Sequence, residues 1–203
     1  INFRGKNITG IDLSESNLRK IKSGGVIVDP GNQALLPEQW HLINGFLLGP
    51  TADLRYSTLS NISLPRGIDL SEAKFKGIKS NNISGNPLLP SGWKLIKPDG
   101  LNSGFLIGPG ADLENADFSK TNLTDVNLGS LDLRTSNLDY VRSKRTTGTP
   151  QLPSGWKLDG GYLLGPKADL SYANLYNLNL DDVDLRQAIL SQVTGYKLKG
   201  KPQ

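Results

Sequence analysis

The sequence predicts an all-β solenoid, a chain that coils on itself and stacks like residues of successive coils. Three observations carry this expectation. Leu or Phe recurs every five residues, preceded each time by Asp or Asn. A longer pattern built around Trp returns every 50–60 residues. Turn dipeptides fall at fixed places inside that longer pattern. The period of five fits neither a helix, at 3.6, nor a plain strand, at 2.

The quintets are clearest over 111–145, which reads ADLEN, ADFSK, TNLTD, VNLGS, LDLRT, SNLDY, VRSKR. The third position is Leu113, Phe118, Leu123, Leu128, Leu133 and Leu138 in turn. A second stretch, 168–197, places Leu170, Leu175, Leu180 and Leu185 in the same phase, and two more lie at 1–25 and 52–82. If the chain turns a corner every five residues and four corners close a coil, residues 20 apart stack at about 4.8 Å. The centre residue and the one two before it then point inward, and the other three point out. Asp and Asn suit the corner because their short side chains bond nearby backbone amides. These ten Leu and Phe residues are the expected ladder that stabilises the stack.

The quintets resemble those of the pentapeptide repeat proteins, whose consensus is A-(D/N)-L-X-X. That resemblance implies a right-handed quadrilateral β-helix. The departures lie at the position two before the centre, where Ile11, Ile62, Ile68, Val126, Leu131, Leu178 and Val183 replace the small residue, and Lys6 there is expected to mark a first coil that is frayed or is a cut edge.

Three segments break the quintets: 36–54, 89–113 and 152–170. They share L-P-x-x-W-x-L, a glycine turn and G-(F/Y)-L-(L/I)-G-P-x-A-D-L. Each follows a lead-in, IDLSESNLRKIKS, IDLSEAKFKGIKS or LDLRTSNLDYVRS, and a fourth lead-in at 183–195 has no Trp segment after it. Asn44-Gly45 and Gly160-Gly161 predict two-residue hairpin turns. Hairpin insertions are therefore expected at 36–50, 89–109 and 152–166, within a single solenoid domain spanning 1–203. Trp40, Trp93 and Trp156 are expected across the strands from Phe46, Phe105 and Tyr162. These six aromatic residues are the candidates for docking or recognition. The longer unit looks like arrays in cyanobacterial and cyanophage pentapeptide proteins.

The chain has no Cys, one His (His41) and a formal charge of +4. That removes disulfides, thiol nucleophiles and multi-His metal centres. No phosphate-binding, zinc-protease or nucleophile-elbow motif is present. Asp181-Asp182 reads as a solvated pair on one quintet, so no catalytic residue, no cofactor and no metal site is expected. Apolar runs are too short for a membrane span or a signal peptide. The chain lacks Met, and it is expected to be a segment of something longer.

The expected role is a non-enzymatic structural or assembly module, partnered by protein or by its own kind through the solenoid ends. The alternative is a surface-recognition module in an adhesin or phage fibre that offers the Trp hairpins to glycans. DNA mimicry against a topoisomerase, known in the family, needs dense negative charge, which this chain lacks. Direct nucleic-acid binding is disfavoured because no basic run carries interleaved aromatics. A fibre or adhesin would be extracellular or virion-associated, and otherwise the cytoplasm is expected.

Overall fold

The computed structural model describes residues 1–201, so the last two residues of the expected 1–203 domain lie outside the described residues. The described residues form an all-β protein without α-helix. No helix is long and apolar enough to cross a membrane. Parallel bridges tie each coil to the next at the expected interval: Asn2 to Lys22, Asn7 to Ile27, Asp117 to Asn137, Asn122 to Arg142, Asn127 to Thr147, and Asn174 to Thr194. Successive quintets thus occupy four faces before the chain returns above itself.

Most corners share one chemistry. The Asp or Asn side chain accepts a hydrogen bond from the amide two residues on, as in Asp117 to Ser119, Asn122 to Thr124 and Asp169 to Ser171, each at 3.0 Å. The amide that opens the next quintet donates to the centre carbonyl, for example Ala116 to Leu113 and Thr121 to Phe118, both at 3.0 Å. In most quintets the fifth residue has a left-handed backbone, with φ near 58° at Asn115, 57° at Lys120 and 59° at Tyr140, but not in the lead-in quintets ending at Glu15, Glu72 and Thr135. A single positive φ at the third turn position marks a type II turn.

Leu113, Phe118, Leu123, Leu128, Leu133, Leu138, Leu170, Leu175 and Leu180 are buried along the axis. Leu185, on the last coil, is half-buried. The larger residues two before the centre, such as Ile68, Val126, Leu131 and Val183, are buried too, whereas Lys6 and Ile11 on the first coil are exposed.

The Trp segments fold as hairpins, but two details differ from the sequence expectation. Strands β1 (His41–Ile43) and β2 (Phe46–Leu48) pair antiparallel, as do β5 (Lys94–Ile96) with β6 (Ser103–Ile107) and β7 (Lys157–Asp159) with β8 (Tyr162–Leu164). The register puts Ile43 opposite Phe46, Ile96 opposite Phe105 and Asp159 opposite Tyr162. The Trp residues therefore do not face Phe46, Phe105 or Tyr162. A turn at Asn44-Gly45 leaves only two residues between Ile43 and Phe46, so Trp40 falls three pairs further out.

The hairpins are also not side arms. β6 lies antiparallel against β4 (Lys79–Ser84), which itself pairs in parallel with β3 (Thr58–Ser63), in one four-stranded sheet. Leu47, Leu48, Leu106, Ile107, Leu163 and Leu164 are fully buried. The second strand of each hairpin belongs to the wall of the solenoid because it carries an apolar face that only the stack can cover.

Candidate functional site: three tryptophan segments on three seats

The lead-in explains where each Trp segment lies. Its first Asp bridges the residue before the Leu-Pro: Asp12 to Leu35, Asp69 to Leu88, and Asp132 to Gln151. The next quintet, at Asn17, Lys74 or Asn137, should be covered by the following quintet. It is passed over instead, and the chain rejoins one face later. Asp53 bridges Lys22, the Asp112 amide donates to the Ile78 carbonyl at 2.9 Å, and Asp169 bridges Arg142. The hairpin segment stands in for one quintet.

The third element of the lead-in is a serine. Ser23, Ser80 and Ser143 each accept the amide of a hairpin leucine through Oγ: Leu47 at 2.9 Å, Leu106 at 2.8 Å and Leu163 at 2.7 Å. These antiparallel strands have no ladder carbonyl at that point, so the hydroxyl supplies the acceptor that a buried amide requires. Ser143→Ala should leave the Leu163 N–H unpaired in a dry site and cost about 1–3 kcal/mol. A urea-unfolding midpoint unchanged from the parent chain would contradict that role.

Each Trp closes its segment against the glycine of its own Gly-Pro. A methyl group added at Gly49 would stand 2.5 Å from the Trp40 ring, at Gly108 2.2 Å from Trp93, and at Gly165 2.1 Å from Trp156. Neighbouring side chains hold the rings on their seats. Trp93 meets Phe75 edge-on, with centroids 5.0 Å apart. Trp40 packs against the clusters containing Leu18 and Leu48, and Trp156 against those containing Leu138 and Leu164. Phe46 is half-buried, while Phe105 and Tyr162 are buried. Phe105 tilts against Phe118 at 5.3 Å, and the Tyr162 hydroxyl accepts from the Asn174 amide at 3.2 Å.

The remaining polar groups are arranged as surface pairs. His41 is half-buried opposite Leu48, and Asp181 and Asp182 are exposed. Among the described residues no cluster of His, Asp and Glu is placed to hold a metal ion. A cleft of about 610 Å³ opens between 111–114 and 132–135. Its charged groups are paired, with Asp112 and Glu114 on Lys79 and Asp132 on Arg134.

Hydrogen bonds from Arg134 hold the Asp132 carboxyl at a pKa of about 2, below the ordinary 3.8. Arg55 lowers Asp53 in the same sense, Arg145 lowers Asp125 and Arg186 lowers Asp184. A carboxylate whose pKa is lowered by folding stabilises the fold above its unfolded value and loses that contribution as pH falls through its folded value. The melting midpoint should therefore hold from neutrality to near pH 4, then decline toward about 2. Asp132→Asn should flatten the last part of that decline in a pH series of thermal melts.

A family model for pentapeptide repeats matches residues 110–139 and 166–194, in eight copies. No curated protein matches the sequence. The quintet phase, the four-faced stack and the matched stretches agree, and over residues 110–139 and 166–194 the chain carries pentapeptide repeats.

Proposed function

We propose that this chain is a non-enzymatic structural or assembly module, a right-handed quadrilateral rod of the array type met in cyanobacterial and cyanophage proteins. The observation that carries this reading is the burial of the second hairpin strands. The sequence devotes its most distinctive segments to the wall of the rod. A wall element is fixed in position by the coils on either side of it. Protein partners, or further copies, would pair with the strand edges of the outer coils, where Leu190 is 49% exposed.

Hydrogen exchange by residue tests the proposal. The amides of Leu47, Leu106 and Leu163 should exchange as slowly as ladder amides such as Leu123 and Leu175. Hairpin amides that exchange freely while the coils stay protected would identify the hairpins as independent loops. The structural reading would then give way to recognition through Trp40, Trp93 and Trp156.

A further inference from the structure

Stacking assembles a basic face that is invisible along the chain. The column Asn2, Lys22, Asp53, Lys74 runs through four successive rungs of one face. Its outward charged residues are Arg4, Lys22, Asp53, Arg55, Lys74 and Lys76, five cations and one carboxylate. That excess of four equals the formal charge of the whole chain, +4. The single carboxylate lies below the surface. Asp53 is 3% exposed, and Arg55 clamps both of its oxygens at 2.8 and 2.6 Å. Arg4 is anchored to the Arg55 carbonyl at 3.2 Å. Lys22, Lys74 and Lys76 are exposed and have no carboxylate within salt-bridge reach among the described residues. The other faces carry cations too: Lys79, Arg134, Arg142, Arg145, Lys167 and Arg186 are each paired with an acid, while Arg19, Lys120, Lys144 and Lys199 are exposed and unpaired among the described residues, but none of those faces stacks its cations in one column.

The corner beside this column is smooth. Its residues are Gly5, Gly25, Tyr56 and Gly77, and the Tyr56 ring lies along Gly77, where an added methyl group would stand 2.4 Å from it. Tyr56 is nonetheless 69% exposed. One face of an aromatic ring is thus backed by the corner while the rest stays open between the rungs of Lys22 and of Lys74 and Lys76.

We propose that this face binds a linear carboxylated polysaccharide, a polyuronate, laid along the stack. The free lysines Lys22 and Lys74 lie two rungs apart, with the neutral Asp53–Arg55 pair between them, about 9.6 Å and close to the length of two sugars, and a polyuronate carries one carboxylate per sugar. The tyrosine ring offers the C–H face of a pyranose an apolar platform, and the glycine corner lets the chain approach the backbone. Duplex DNA fits less well. The face is roughly 10 Å of extended backbone wide, narrower than the ~12 Å major groove, so it meets the phosphates of one strand only. This proposal stands apart from the structural role of the hairpins, because the rod can hold its partners apart whether or not the face binds.

Titration of the full chain by calorimetry with polygalacturonate tests it, with dextran, duplex DNA and a single-stranded oligonucleotide in parallel. Binding is expected for polygalacturonate and not for dextran, weakening steeply between roughly 0.05 and 0.5 M salt. Lys22→Gln, Lys74→Gln and Lys76→Gln combined should weaken it about tenfold or more, and Tyr56→Ala alone should weaken it severalfold with the charge unchanged. The charge-matched set Lys120→Gln, Lys144→Gln and Lys199→Gln should leave it intact. Absence of polygalacturonate binding, equal loss in both lysine sets, or no effect of Tyr56→Ala would overturn the proposal. So would tighter binding of either nucleic acid, which would make the face a nucleic-acid surface instead.

Discussion

Gly108→Ala is expected to destabilise the protein by about 3 kcal/mol, at the top of the range for overpacking a core. The glycine has no left-handed backbone to excuse it, and alanine in such an extended segment would ordinarily stabilise by about 0.4–1 kcal/mol through the unfolded chain. Here the added carbon would sit 2.2 Å from the Trp93 ring. The ring has little room to withdraw, because Phe75 stands edge-on at 5.0 Å. Relief must come from lifting the ring off its seat and opening the turn into Pro109. Gly31→Ala is the matched control: its position has nothing within 4 Å and its φ is not positive. Urea midpoints should fall for Gly49→Ala, Gly108→Ala and Gly165→Ala and stay level for Gly31→Ala, and Trp emission of the three should shift toward the red. A Gly108→Ala chain as stable as the Gly31→Ala chain would show that the Trp–Gly contact contributes nothing to the fold.

Phe118→Ala carries the other large expected effect, about 3–5 kcal/mol. Phe118 is fully buried and faces Phe105 of the second hairpin. Its loss opens a cavity where a coil meets an antiparallel strand, and neither backbone can close it, since each is fixed by its own hydrogen bonds. The damage should be local, because a solenoid couples each coil mainly to its neighbours. Hydrogen exchange should therefore rise around 103–107 and 137–141 well before it rises near Ile8 or Leu18. Uniform loss of protection along the chain would mean that the rod unfolds as one cooperative block.

Much of the coil was legible because a five-residue period states which side chains face inward, and that reading holds from Leu113 to Leu180. The corner role of Asp and Asn was legible for the same local reason: the bond closes within three residues. The hairpins were legible as hairpins but not as wall. Their partner on the wall is the serine of a lead-in some 20 residues earlier, and no local pattern marks a serine as an acceptor. The Trp–Gly contact could have been found. Counting outward from Asn44-Gly45 pairs residue 43 with 46 and arrives at Trp40 opposite Gly49. Pairing aromatics by type put Trp40 opposite Phe46 instead. The basic face had no signature in the chain, because Arg4, Lys22, Arg55 and Lys74 become neighbours only when three coils lie between the first and the last.

The substitution of a hairpin for one quintet turns unit length into an angular setting. The first hairpin passes over the face of Asn17, the second over the face of Lys74, a quarter turn on, and the third over the face of Asn137, a further half turn. Between rejoining the stack and the next lead-in Asp, the second unit has one quintet more than the first, from Asp112 to Asp132 rather than from Asp53 to Asp69. That single quintet supplies the added quarter turn. Five residues inserted or removed between hairpins would rotate everything downstream by one face without disturbing a single inward leucine. Arrays of this kind can therefore aim successive insertions around their axis by whole-quintet changes in length, an adjustment that the register of the core does not resist.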